Sequence, residues 1–521
     1  MTRTKNTIFN IIYSVINKVI NIISPFLIRT LMIYYFGVKY LGINSLFASI
    51  LQILNTAELG FSTAVVFSLY KPMAENDEKE ICSILNFYRK MYRIIGLFVL
   101  LVGITIIPLL PKLINDDIPS NINIYIIYAI YLINTVCSYC FFSYKSSVFI
   151  ASQNNRIISN VNTFIFIFQT ILQVVIIVFY KNYYLYLIMM PLFTLFNNLF
   201  IGYLSNKKFP NYNPRGKISN ESKNIITKKV KGLFISRICT MTRNSLDSIF
   251  ISTILGLTAV AVYSNYYYIM NSVLGLLSTI TIAMTSSVGN SLVLESKEKN
   301  YLDMRIFDFV FSWIYGVCTI MMLCLYQPFV KIWVGDGISA NLGLAISFCL
   351  YFYCLNMGSI RAVYHDAAGL WWEARFRAIF ETILNLVLNF VLTYKFGMVG
   401  TVIGTLIAMF LINFCYGSTI IFDYYFIGFP KKEYYLDHLK YFLSTILVSV
   451  PTYFISTLLY KNSIMSLLIT GLVVFIIASI GTFFIFSKFS IYSKSKEYFI
   501  NKMKINRRKV TSNQGSEIPC E

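Results

Sequence analysis

Residues Ile464 to Ser487 read IMSLLITGLVVFIIASIGTFFIFS, 24 positions without one charged side chain. As a helix rising about 1.5 Å per residue the stretch is about 36 Å long, enough to cross a hydrocarbon core of about 30 Å. Similar runs recur back to the N-terminus, broken at charges, Pro and Gly. They predict 14 helices: 9–36, 41–70, 90–110, 121–150, 157–180, 183–205, 232–256, 259–294, 306–327, 341–369, 377–396, 398–425, 438–460 and 464–487.

The whole composition agrees. Of 521 residues, 57% are hydrophobic and only 13% charged, whereas soluble proteins carry about 25% charged residues. A water-soluble fold is excluded, and the expected class is an all-α polytopic membrane protein. The net charge of +21 would point to nucleic acid on a soluble chain. Here it sits in the connections between spans and reads as topology. The odd-numbered connections hold six cations (Lys39, Lys112, Lys181, Lys331, Lys395 and Lys461), while the even-numbered ones and the tails hold most of the rest. That bias predicts both termini on the cytoplasmic side of a plasma membrane. The ten cysteines lie mostly inside spans, so no disulfide framework is expected. The apolar N-terminal stretch lacks an A-x-A-like site and reads as a first span rather than a signal peptide.

The expected organisation is an N-terminal lobe of six helices (1–205), a basic cytoplasmic linker (206–231) and a second six-helix lobe (232–425). Two additional helices (426–487) and a basic cytoplasmic tail (488–521) follow. A shift of 219 residues aligns Phe36-Gly37-Val38 with Leu255-Gly256-Leu257, Ser45 with Ser264, Phe47 with Tyr266 and Lys18 with Arg237. Such internal similarity is the mark of a transporter built from two related halves.

Charges at bilayer depth are costly and face protein or water. Lys18 and Arg29, three helical turns apart, share a polar stripe with Ser14, Asn21 and Pro25. Arg237, Asn244 and Ser248 repeat it. Glu58 lies mid-span, Arg243 and Asp247 are spaced as an ion pair, and Arg361, His365 and Asp366 lie on the tenth helix. Each pair could be structural glue between helices. Taken together, five cations face three acids, which points to a cationic cavity for an anion, phosphate above all, because a guanidinium binds two oxygens at once. Pro25 could bend the first helix into a hinge.

Other signals fail. Gly216-Lys217-Ile218-Ser219 lacks the spacing of a phosphate-binding loop. Cys137-Ser-Tyr-Cys140 sits in an apolar helix without further ligands, so no metal or cofactor is expected. His365 and His438 are the only histidines. Asp116-Asp117 matches the paired acids of membrane glycosyltransferases and polymerases, but the short outer connections leave no room for a reaction domain. A catalytic residue is not expected.

Gly37-Val-Lys-Tyr-Leu-Gly42 and Glu58-Leu-Gly-Phe-Ser62 resemble the first two helices of Wzx-type polysaccharide flippases, in the multidrug/oligosaccharidyl-lipid/polysaccharide (MOP) exporter superfamily. Asp366-Ala-Ala-Gly-Leu-Trp-Trp-Glu373, with Glu381, Asn385, Asn389 and Gly397-Met-Val-Gly-Thr-Val-Ile-Gly-Thr405, resembles the same family's tenth to twelfth helices. The resemblance implies a two-lobed, fourteen-helix flippase in the bacterial plasma membrane. It would move undecaprenyl-pyrophosphate-linked oligosaccharide repeat units to the outer leaflet by alternating access, for capsule or O-antigen assembly, among membrane lipids and with a polysaccharide polymerase as a further partner. Lys18, Arg29, Glu58, Arg237, Arg243, Asp247 and Arg361 are then the expected cavity residues, and His365 and Asp366 the candidates for ion coupling. The rival on the same architecture is a cation-coupled small-molecule exporter.

Overall fold

The computed structural model describes residues 20–55, 61–152, 154–220, 223, 224, 226, 227, 239, 245–335, 337 and 339–500. Among them no strand occurs, and the chain is all-α. In order, the helices are α1 (Ile20–Tyr35), α2 (Val38–Leu54), α3 (Phe61–Ala74), α4 (Glu78–Ile106), α5 (Ile124–Tyr139), α6 (Ser146–Ala151), α7 (Asn155–Val175) and α8 (Tyr183–Lys208). After the linker come α9 (Ser245–Leu255), α10 (Leu257–Leu294), α11 (Lys297–Val334), α12 (Leu342–Met357), α13 (Ser359–Ala367) and α14 (Arg375–Ala408). The last are α15 (Gly417–Tyr424), α16 (Lys431–Leu459) and α17 (Ile464–Phe486). Eight of the helical segments are each long and apolar enough to cross a membrane. One of them, Arg375–Tyr424, contains two of the expected spans, because its backbone leaves the helical region at Gly397 (φ 62°, ψ −145°) and turns back.

Two compact units emerge, one within Met1–Ser272 and Arg375–Ala408, the other within Val273–Ala374 and Met409–Glu521. In the first, α2 and α3 pack with α4, α5 and α8 around Phe47, Val65, Leu85, Tyr88, Tyr128 and Leu187, all essentially buried. Lipid tails are as apolar as these side chains, so shape and close approach hold such helices together rather than escape from water. The antiparallel return at Gly397 shows this. A Cβ on Gly400 would lie 1.9 Å from the Leu392 carbonyl oxygen, and one on Gly404 2.5 Å from Asn389 Oδ1. Only bare glycine backbone permits that contact.

Two turns 219 positions apart share a backbone conformation. Gly37 (φ 105°) joins α1 to α2, and Gly256 (φ 88°), 219 positions on, joins α9 to α10. Both angles belong to the left-handed half of conformational space, which glycine enters without steric cost. The equivalent residues Ser45 and Ser264 meet in a hydrogen bond of 3.0 Å.

The fourth expected span, 121–150, is not one straight helix. It breaks after Tyr139 and bends by 45°, with Phe141 at φ 59°. Asn198 of α8 donates to the carbonyl of Cys137 (2.9 Å), which also accepts from the Cys140 N–H (3.2 Å). The break also lets Lys145 reach Asn206 from a buried position. A residue beside Cys140 thus takes up the strain that a continuous helix would not have.

In the second unit α11 packs against α12, α13, α16 and α17. Its core holds Met304, Phe311, Tyr364, Phe422, Phe426 and Tyr434. The outward faces of α16 and α17 present Leu447, Leu458, Leu472 and Phe484, all exposed, as suits a lipid-facing surface.

Candidate functional site

Lys18, Glu58, Arg237 and Arg243 lie outside the described residues; the other expected residues fall into two groups. In the first unit, α1 carries Arg29 half-buried. Its Nη1 donates to Ser264 Oγ (3.1 Å) and Asn265 Oδ1 (2.9 Å), and the guanidinium carbon lies 5.0 Å from the Tyr268 ring centroid. All three partners are on α10, and all are neutral. Among the described residues no carboxylate stands within ion-pair distance of Arg29. Behind it, Asn44 Oδ1 accepts from Tyr131 (2.5 Å) and Tyr183 (2.7 Å). This buried phenol and amide network gives α1, α2, α5 and α8 a defined polar interior.

Asp247, on α9, is buried. Its Oδ2 accepts from Tyr263 (2.6 Å) and its Oδ1 from Asn389 Nδ2 (2.6 Å), with Thr405 at 3.5 Å. Asn385 joins through Thr405 (2.9 Å), and Thr393 meets Thr401 (2.8 Å) one turn further along. The glycine-backed return of α14 thus encloses a ladder of amides and hydroxyls that ends on the carboxylate. An oxygen-rich donor set of this kind suits hard cations. Among the described residues no cluster of three His, Cys, Asp or Glu occurs.

In the second unit Arg361 is buried on α13. Its Nη2 donates to Asn413 Oδ1 (3.1 Å) and packs on Gly358, where a Cβ would lie 2.9 Å away. His365 is buried too, with Nδ1 3.0 Å from Asp366 Oδ1, while Trp371 Nε1 donates to the same oxygen at 3.0 Å.

Sequence reasoning missed Asp308, named Glu381 only within the family resemblance, and passed over His438 except to count it; all three are buried. Glu381 is held by Arg377 at 3.2 Å. With these included, the buried acids (Asp247, Asp303, Asp308, Glu381) outnumber the buried Arg and Lys (Lys145, Arg361) among the described residues. The one signal that could have exposed the amide ladder is the i, i+4, i+8 spacing of Asn385, Asn389 and Thr393 in an apolar run. Asp116 is a clamp at the chain's turns. Lys39 Nζ donates to its Oδ1 at 2.6 Å and to the Asp117 carbonyl at 3.0 Å. Neighbouring Asn115 is bonded to the Ser252 and Ile254 carbonyls at the end of α9.

No family model matches the sequence, and no curated protein does. Solved structures do resemble it. The lipid II flippase MurJ in an inward closed conformation is similar over 91% of this chain and 99% of its own, with a TM-score of 0.68 at 16% identity. An inward-facing MATE-family multidrug resistance transporter of the MOP superfamily matches 78% of this chain and 94% of its own, with a TM-score of 0.61 at 13% identity. A mutant of the Vibrio cholerae MATE transporter VcmN covers the same shares, with a TM-score of 0.55 at 13% identity. The chain is a multi-pass helical membrane protein with the fold that the lipid II flippase and the MATE transporters share.

Proposed function

We propose that the protein is a flippase for an anionic, lipid-linked oligosaccharide, of the Wzx kind, in a bacterial plasma membrane with both termini cytoplasmic. The observation that carries this reading is Arg29, a half-buried guanidinium in an apolar helix with neutral partners only among the described residues. A cation so placed attracts an anion, and its planar fork suits the pyrophosphate of an undecaprenyl carrier. Lys18, Arg237, Arg243 and Arg361 would add to that attraction, with Glu58 and Asp247 adjusting it. The fold supports the reading, since one of its solved examples is a lipid II flippase that covers nearly the whole chain. Membrane lipids and a polysaccharide polymerase would be its partners.

The test is deletion of the gene, with analysis of polyprenyl-linked lipids and surface polysaccharide. Complete lipid-linked units accumulating on the inner leaflet, with polymer lost, support the proposal. Truncated glycans, or finished units held on the outer leaflet, overturn it in favour of an enzyme, and Asp116→Asn with Asp117→Asn would then abolish activity.

A second reading has its own observation. The buried acids favour a cation-coupled small-molecule exporter, in which Asp247, His365 or Asp366 would take the coupling ion. Normal surface polysaccharide in the deletion strain, together with sensitivity to cationic drugs, selects that reading.

A further inference from the structure

Several buried polar atoms of the second unit converge on one place, beside Arg361. Asp308 of α11, Arg361 of α13 and His438 of α16 are 5%, 3% and 1% exposed. His438 Nε2 stands 3.9 Å from Asp308 Oδ1, beyond a hydrogen bond but closed by a small side-chain rotation. Among the described residues, Asp308 Oδ2, both nitrogens of His438, Arg361 Nε and the Tyr434 hydroxyl have no hydrogen-bond partner. Buried polar atoms are nearly always paired, so five unpaired ones around a single point mark a site and not ordinary packing.

The surroundings identify the ligand. With Asp308 ionised and Arg361 charged, the group is neutral as long as His438 is neutral. His438 is walled by Phe414, Tyr434 and Tyr441, with ring centroids 5.1, 4.6 and 6.0 Å away. Aromatic walls of this kind accommodate a cation.

Charged groups also stand between the pair and the end of α16. Glu433, exposed at one end of α16, and Asp437 both hold Arg305, at 2.9 and 2.5 Å. Asp437 precedes His438 in the chain, and both Asp437 and Arg305 act electrostatically on Asp308.

We propose that Asp308 and His438 form a proton-binding site that joins α11 to α16. One proton enters from water by way of Asp437 and adds to the lone pair of His438 Nε2. The new N–H then donates to Asp308 Oδ1. No other bond is made or broken, and the group moves from net zero to a single positive charge. Protonation gives the two helices a charge-assisted hydrogen bond, and release removes it.

Other titratable groups face the pair. On α11 they are Arg305 and Tyr315; on α13, Arg361 and Tyr364, with Asp366 acting through Arg361. Helix α12 offers the phenol Tyr353, and α16 offers Tyr434, Asp437 and Tyr441. Helix α17 packs on α11 with no titratable side chain. Phenols and guanidinia keep their protons across the physiological range. The site does not depend on which substrate the chain carries.

The chain's having only two histidines makes the test direct. Full-length protein labelled with nitrogen-15 histidine is placed in lipid nanodiscs, and His365→Gln assigns the ring signals. From about pH 9 to about pH 4, a range bracketing the ordinary histidine pKa, the His438 ring should pass from a neutral tautomer to imidazolium. Asp308→Asn should lower the midpoint by at least about one pH unit, a tenfold loss of proton affinity, and Asp308→Glu should restore most of it. A His438 ring that stays neutral throughout in the unsubstituted protein overturns the proposal without any variant. A midpoint unmoved in Asp308→Asn overturns it equally.

Discussion

At Arg29 the chemistry turns on shape as much as on charge. Its Nη1 alone already bonds two acceptors on α10, Ser264 and Asn265, and a cation of another shape keeps only part of what the planar guanidinium offers. If the proposed flippase reading holds, Arg29→Ala lowers transport by about tenfold or more, the scale of a lost hydrogen bond to a charged group. Arg29→Lys, which keeps the charge but not the fork, retains an intermediate rate. Flipping of a fluorescent polyprenyl pyrophosphate in proteoliposomes measures both. Asp116 offers a stability counterpart. Partial desolvation pushes its carboxyl up, but the hydrogen bond from Lys39 and that residue's charge outweigh it and hold the group below its ordinary value. The clamp therefore stabilises the fold above the unfolded-state pKa and is lost as pH falls through the folded-state value. Both ends face solvent, so the contribution is below about 1 kcal/mol. Melting temperatures should fall less steeply with acidification in Asp116→Asn than in the unsubstituted chain. Arg29 and Arg361 were legible in the sequence because a cation stands out in an apolar run. Asp308 and His438 were not. They fall near the ends of their expected spans, 306–327 and 438–460, where a charge reads as a connection, and their burial comes from neighbours distant in sequence.

Helix by helix, hydropathy located the spans well, because a membrane rewards unbroken apolar length. It could not locate the break after Tyr139, where Asn198 of another helix donates to the Cys137 carbonyl. Nor could it show why α14 needs its glycines, although their spacing was in view. Gly404→Ala puts a methyl 2.5 Å from Asn389 Oδ1, and Gly400→Ala puts one 1.9 Å from a backbone oxygen. Each should cost about 1–3 kcal/mol or more through overpacking, read as lower melting temperature and expression. Gly289→Ala is the control. Nothing lies within 4 Å of its Cβ position, and alanine's higher helix propensity should leave stability unchanged or raise it by up to about 1 kcal/mol.

For the molecule as a whole, the charge pattern makes a prediction that the packing of helices cannot. If the connections rich in Lys and Arg face the cytoplasm, a reporter inserted at 211–217 stays inside the cell, and one at 115–120 is exported. Reporter activity on the reverse sides inverts every assignment of orientation. The internal repeat was legible only as a faint match of apolar residues, because lipid-facing positions accept almost any such side chain. What survives is geometric: two glycine turns in the same rare conformation, and the hydrogen bond between Ser45 and Ser264. Equivalent residues of two copies can touch only near the axis that relates the copies. In a chain of half the length, that contact would be made by one serine and the same serine of a second copy, as in an isologous dimer. Within one chain the contact needs no encounter between copies, so it does not depend on concentration. The two serines of one chain also need not have the same surroundings: Ser264 accepts from Arg29 as well as from Ser45.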